Sequence, residues 1–231
     1  MGKKFFIAGT DTDVGKSLVA AALLHAGQKQ GLKTLGLKPV AAGCEQKEVD
    51  GALTWVNDDA LLLQQYSSVN LAYEQVNPVA LQQAIAPHIA AQKENRSLSL
   101  DRIAGFLRGS MMTPSDLCVV EGAGGWKVPL NTREYMSDLA HALNLPVILV
   151  VGMRLGCLNH ALLTVDAIKK EGLSLAGWVA NTLDSDMPVF AENFDTLSSL
   201  IPAPCLGTLP YLSSLSPEAA AEYLDINKLY S

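Results

Sequence analysis

Cysteine is scarce and scattered: the 231 residues hold four, Cys44, Cys118, Cys157 and Cys205, with no C-x-x-C pair among them. That spacing excludes a zinc cluster of the usual kind and a disulfide framework, and it implies reduced thiols. Histidine offers no metal site either, because His25, His88, His141 and His160 lack ligand spacing. Aromatic residues are few, 6%, and charged residues reach only 17% against 49% hydrophobic, the profile of a compact folded chain rather than a disordered or fibrous one. Repeats and low-complexity tracts are absent. Long apolar runs are missing too: the longest, residues 145–151, is far too short to cross a bilayer, and the N-terminus has no apolar signal-peptide core. A cytoplasmic location is therefore expected. Excess positive charge is also lacking. A formal net charge of −6 gives no general attraction to nucleic acid or to an anionic membrane, so any polyphosphate must be held by local positive groups.

Against these absences stands one dense motif. Thr10-Asp11-Thr12-Asp13-Val14-Gly15-Lys16-Ser17 follows the apolar run Phe5-Phe6-Ile7-Ala8 and precedes Leu18-Val19-Ala20-Ala21-Ala22-Leu23-Leu24. A strand, a tight turn and a helix start in that order form the cradle in which backbone N–H groups wrap a phosphate. Lys16 would then place an ammonium on the β- and γ-phosphates, and the Ser17 hydroxyl would ligate the Mg²⁺ bridging them. The pattern G-x-x-x-x-G-K-[ST] asks for glycine at position 10, where this chain has Thr10, with Gly9 one residue earlier. The flanking strand and helix argue against a chance Gly-Lys-Ser tripeptide.

Strand-like and helix-like segments alternate along the chain, which predicts an α/β fold: a parallel sheet flanked by helices, organised as a single domain over 1–231. Strands are expected over 4–8, 34–40, 117–121, 147–151, 176–181 and 205–209, most of them aliphatic on both faces. Helices are expected over 17–30, 58–66, 100–112 and 159–171, the first and last closed by Gly31 and Gly172. Residues 43–57 read as an irregular connection.

In open sheets of this kind ligands sit beyond the carboxyl ends of the strands. Lys38 lies at one such end, stiffened by Pro39, and is placed either for an anion or as a solvated strand-end lysine. Glu121 ends another strand, before Gly122-Ala123-Gly124-Gly125, and reads as a candidate Mg²⁺ ligand or as an ordinary rim glutamate. Asp58 and Asp59 open a helix, so that either could cap it.

Gly9 to Ser17, Lys38-Pro39-Val40-Ala41, Glu121 to Gly125 and Gly152 to His160, in this order, resemble the dethiobiotin synthetase family of the biotin pathway. The resemblance covers nearly the whole chain. It implies a P-loop NTPase-like fold and an ATP- and Mg²⁺-dependent ligase that closes 7,8-diaminononanoate and CO₂ into a cyclic urea through a carbamate and a carbamic-phosphoric anhydride. It further implies that Asp13, Val14, Gly15, Lys16, Ser17 and Leu18 hold the phosphates, with Gly122, Ala123 and Gly124 beside the nucleotide. Ser17, Asp59 and Glu121 fall at the metal positions. Lys38, Lys16 and Thr12 fall around the transferring group. Adenine contacts fall on Asn181, Thr182, Pro210, Tyr211 and Leu212, with Glu218 nearby.

The substrate positions of the resemblance are Ala42, Arg154, Leu155, Gly156, Cys157 and Asn159. The segment from Arg154 leads into a helix whose backbone N–H groups suit a carboxylate, and in the family it serves the neighbouring subunit, which implies a homodimer. Two departures fall near the diamine: Ala42 stands where the family commonly has a hydroxyl residue, and Ala86 where some members have serine. Two other readings compete. An amidase of the same broad fold usually carries a glutaminase domain for which 231 residues leave no obvious room. A partitioning ATPase of the ParA or MinD type typically carries an extra lysine early in the loop, where this chain has Thr10-Asp11-Thr12.

Overall fold

A computed structural model describes residues 2–49, 51–211 and 216–230. The first half of the chain forms β1 (Lys3–Gly9), α1 (Lys16–Lys29), β2 (Thr34–Leu37), β3 (Val40–Ala42), β4 (Glu45–Val49), β5 (Ala52–Val56), α2 (Asp58–Gln65), α3 (Tyr73–Val76), β6 (Val79–Leu81) and α4 (Pro87–Lys93). The second half forms α5 (Leu100–Ser110), β7 (Leu117–Glu121), α6 (Met136–Ala142), β8 (Val147–Met153), α7 (Cys157–Lys170), β9 (Leu175–Thr182), α8 (Phe190–Leu200), β10 (Cys205–Leu209) and α9 (Pro217–Ala221). A single 3₁₀ turn, Ile226–Leu229, closes the described chain.

Six strands make one sheet in the order β10-β9-β8-β1-β7-β2. Every pairing in it is parallel. The two-residue period of β1 divides its side chains between two cores. Phe5 and Ile7 enter one core with Val19, Leu23 and Leu24 of α1, whereas Phe6 and Ala8 enter the other with Ile103 and Leu107 of α5 and Val165 and Ile168 of α7. Burial on both faces is why these strands read as unbroken aliphatic runs. Crossing order leaves the carboxyl ends of β1, β2, β7 and β8 on one rim, which fixes where a ligand can sit.

The strand expected over 34–40 is two strands. Pro39 cannot donate to a ladder, so β2 ends at Leu37, and after Lys38 the chain leaves the main sheet to pair β3 with β6. Residues 43–57, read as irregular, instead hold an antiparallel hairpin of β4 and β5 turning at Gly51, whose φ is 80°. Strand β4 is mostly polar, and the apolar residues of β5, Ala52, Leu53, Trp55 and Val56, are divided between its two faces, so no two-residue alternation announces the hairpin. The remaining helix boundaries move by a residue or two: α1 begins at Lys16, α5 stops at Ser110 and α7 begins at Cys157.

Candidate functional site

The loop between β1 and α1 is folded tightly back on its own strand. A Cβ on Gly9 would lie 2.9 Å from the Asp11 carbonyl and 2.7 Å from Val14 Cγ2, so the glycine of this motif is required at 9. Thr10, where the pattern asks for glycine, uses its hydroxyl to accept from the Gly152 N–H at 3.3 Å. Asp13 and Gly15 take left-handed conformations, φ 56° and 87°, and Gly15 opens α1 with no side-chain cap. The first N–H groups of a 14-residue helix therefore point out of the fold, ready for an anion. Val14 is packed in the core and Leu18 against it, so both contribute through their backbone. Asn181, at the end of β9, donates from Nδ2 to the Val14 carbonyl at 2.9 Å and pins the loop from below. Buried Lys16 donates to the Asp11 carbonyl at 3.0 Å. Desolvation draws its ammonium below the ordinary lysine value, against the opposing field of Glu121.

Beside the loop, the ends of β2 and β7 and the start of α2 converge. Lys38 Nζ donates to Glu121 Oε1 at 2.6 Å, to Asp59 Oδ2 at 3.0 Å and to the Gly122 carbonyl at 3.4 Å. Ser17 Oγ donates to the same Glu121 Oε1 at 2.7 Å. Burial alone would lower the Lys38 pKa, but Glu121 and Asp59 outweigh it and hold it above the usual value. Burial likewise works to raise the Asp59 pKa, and Lys38 reverses it, so the carboxyl sits below its usual range. Helix α2 is capped by neither aspartate. The Asn57 side chain accepts from the Asp59 and Ala60 N–H groups, which frees Asp59 to turn inward, while Asp58 pairs with Lys47 at 2.7 Å.

Glu121 is wholly buried, and its Oε2 has no hydrogen-bond partner among the described residues. An orphaned carboxylate oxygen of this kind is costly unless something outside the chain satisfies it. With the Ser17 hydroxyl and Asp59 beside it, the donor set is all oxygen, which fits a hard divalent cation. Two carboxylates and one hydroxyl would supply part of such an ion's ligand shell.

A cavity of about 880 Å³ opens over this cluster. Thr12, Asp13, Gly15, Lys16 and Ser17 form one wall, and Lys38, Asp59 and Glu121 form the floor. Val40 to Ala42, Ala84 to Pro87, Ala123, Gly124 and Val128 close it. Both alanines that depart from the resemblance, Ala42 and Ala86, face this cavity. Gly122 lies below it, its backbone caging Lys38. A second hollow, of about 450 Å³, is lined by Thr182, Thr208, Pro210, Tyr211 and Tyr223, with Asp184, Met187 and Phe190. Leu212 lies outside the described residues. Glu218 does not line the hollow; it accepts a hydrogen bond from the Tyr66 hydroxyl.

The β8–α7 turn stands apart from both cavities. Gly156, φ 94°, opens α7 without a side-chain cap, Cys157 is buried and Asn159 is exposed. Arg154 turns back to the phosphate loop, 2.6 Å from Asp11 Oδ2, and Leu155 is 98% exposed. Reading the sequence missed Asn57, and of the 84–87 wall it singled out only Ala86; in the second hollow it missed Asp184, Met187 and Phe190. Following the chain a few residues past the end of β9 would have reached the last three.

A family model described as an AAA domain matches residues 3–219. The ATP-dependent dethiobiotin synthetase BioD of Cellvibrio japonicus (strain Ueda107) is 61% identical over 227 residues, covering 98% of this chain and 97% of that protein. The protein of the same description from Pseudomonas aeruginosa (strain UCBPP-PA14) is 52% identical over 225 residues, covering 97% of each. Among solved structures, the septum site-determining protein MinD of Pyrococcus horikoshii OT3, complexed with Mg-ADP, superposes with a TM-score of 0.58 over 99% of this chain and 89% of that one. At 16% identity this likeness is one of fold alone, a P-loop NTPase-like parallel sheet flanked by helices.

Proposed function

The chain belongs to the ATP-dependent dethiobiotin synthetase family, and on that premise we propose that the cavity over Lys38 is where 7,8-diaminononanoate and CO₂ are closed into a cyclic urea as ATP is cleaved to ADP and phosphate. One observation carries the assignment to this cavity: a buried ammonium, Lys38, stands on its floor directly across from the open N-terminus of a phosphate loop. The reaction must bring two anions, a carbamate and a triphosphate, within attack distance. Lys16 on the phosphate side and Lys38 on the carbamate side offset their repulsion and orient them.

In this reading the α1 N-terminus from Asp13 to Leu18 grips the phosphates, and Thr12 lines the space between donor and acceptor. Ser17, Asp59 and Glu121 would hold Mg²⁺, which would supply charge withdrawal from the transferring phosphoryl group. Lys38 stays protonated, because its two carboxylate partners hold its pKa up, and it steadies the charge passing from carbamate oxygen to the transferring phosphoryl group. The adenine occupies the hollow beside Thr182, Pro210 and Tyr211. Gly122 to Gly124 bring backbone close to the nucleotide.

The acid tail of the diamine lies at the α7 N-terminus, from Arg154 to Asn159, of a second copy in a cytoplasmic homodimer. Leu155, 98% exposed on the tip of that turn, is apolar surface for such a copy to cover. The whole chain works as one ATP-binding unit. Phosphate release measured with and without each substrate tests the assignment, together with mass detection of dethiobiotin. The expected result is release that requires both 7,8-diaminononanoate and bicarbonate. Equal release without the diamine contradicts it.

A further inference from the structure

Lys38 occupies an awkward place in the backbone. Pro39 follows it without an N–H, and the chain leaves the main sheet there. Yet its peptide is held on both sides: the Lys38 N–H donates to the Val76 carbonyl at 2.9 Å, and its carbonyl accepts from Asn77 Nδ2 at 2.6 Å. Asn77 is itself fully engaged. Its Nδ2 also donates to the Val79 carbonyl at 3.2 Å, and its Oδ1 accepts from the Tyr73 hydroxyl at 3.0 Å. The same Tyr73 oxygen accepts from the Asn57 N–H at 2.8 Å, and Asn57 Oδ1 accepts from the Asp59 N–H at 3.1 Å.

Lys38 and Asp59 are thus joined twice, through their side chains at 3.0 Å and through a relay of Asn77, Tyr73 and Asn57. Asn77 and Tyr73 are 3% and 2% exposed. A polar relay this deep stabilises less than well-packed apolar side chains would, and what it adds is a unique orientation. Burial pushes the Tyr73 pKa up to about 12, so its hydroxyl keeps the proton it donates.

We propose that Asn77, locked by Tyr73 and Asn57, is a positioning residue for the ring-closing reaction: it fixes the Lys38 backbone relative to Asp59, so that the ammonium points at the transferring group. The proposal rests on the reading of Lys38 and Asp59 given above. It touches no ligand itself and acts only through the two residues it brackets.

Two variants and a control test it. Asn77→Ala removes both donors. Tyr73→Phe removes only the hydroxyl and keeps the ring packed, so it reports even where the alanine variant does not fold. Ser110→Ala deletes a comparably buried hydrogen bond, to the Gln75 carbonyl at 2.8 Å, outside the relay. Saturating phosphate-release rates, calorimetric ATP affinity and thermal midpoints are compared with wild type. Tyr73→Phe is expected to lose about tenfold or more in kcat, the scale of a small misplacement of a reacting group, with ATP affinity unchanged within about twofold. Ser110→Ala is expected to lower the thermal midpoint while keeping kcat. A Tyr73→Phe rate within twofold of wild type overturns the proposal, and so does an equal kcat loss in Ser110→Ala. Wild type without turnover on the complete substrate set overturns the site reading and the relay with it, an outcome distinct from either.

Discussion

Lys38 Nζ lies 2.6 Å from Glu121 Oε1 in an ion pair whose side chains are 5% and 0% exposed. Removing one partner of such a pair strands the other charge in a low-dielectric interior, at a cost of about 3–5 kcal/mol. Lys38→Ala is therefore expected to lose that much stability in chemical denaturation with chelator present, and to lose turnover. Calorimetry should find its ATP affinity largely intact, since the phosphate loop does not use Lys38. Wild-type turnover in the variant removes Lys38 from the mechanism.

Lys16 and Lys38 offset all but one of the charges of Asp13, Asp59 and Glu121 around the cavity, and the two carboxylates of the proposed metal site already face an ammonium. A divalent ion arriving alone meets little net attraction, whereas a triphosphate arriving with it adds negative charge of its own. Mn²⁺ titration followed by electron paramagnetic resonance should show binding at least about tenfold tighter with ATP present, within the usual range of coupling between two ligands. Equal Mn²⁺ affinity with and without nucleotide contradicts the proposed ligand set.

Gly15 has a φ of 87°, and a Cβ there would run into the Asn181 amide that pins the loop. Gly15→Ala should destabilise the protein by about 1–2 kcal/mol through backbone strain alone. It should also weaken ATP binding, because displacing Asn181 frees the Val14 carbonyl. Unchanged ATP affinity in a folded variant counts against the loop as the phosphate site.

The Tyr66 hydroxyl donates to Glu218, tying the end of α2 to the first turn of α9. That bond holds the Glu218 carboxyl down at about 2, while burial and then Glu218 itself push Tyr66 up to about 12. A depressed carboxyl contributes stability that is complete above its ordinary value, 4.5, and is lost as pH falls toward about 2. A raised tyrosine contributes below its ordinary value of 10 and loses that contribution as pH rises through about 12. In Tyr66→Phe, an NMR titration should find the Glu218 midpoint raised from about 2 toward its ordinary value, 4.5, while the Ser216 hydroxyl and the Glu218 backbone N–H still hold it below that value. A midpoint that stays near 2 assigns the shift to another partner.

The phosphate loop, Lys38 and Glu121 are legible in the sequence because a parallel sheet gathers its strand ends on one rim, whatever the loops do. Asp59 is not legible from spacing. Only the cap on Asn57 separates it from Asp58, and both aspartates suit a helix start. The β4–β5 hairpin escapes notice because the apolar residues of β5 fall on both of its faces and β4 is mostly polar, so neither strand shows an alternation. Tyr73 and Asn77 sit in and beside a four-residue helix too short to show a period. The resemblance puts Asn181 at an adenine edge; in the structure its Nδ2 also donates to the Val14 carbonyl, a contact across 167 residues that no local pattern encodes.

The central claim, that a carbamate oxygen attacks the γ-phosphate in this cavity, is tested most directly by isotope transfer. Single turnovers with ¹⁸O-labelled bicarbonate in unlabelled water should release phosphate carrying one ¹⁸O, because ring closure expels the phosphate together with the former carbamate oxygen. Phosphate released without label, alongside dethiobiotin, contradicts the account.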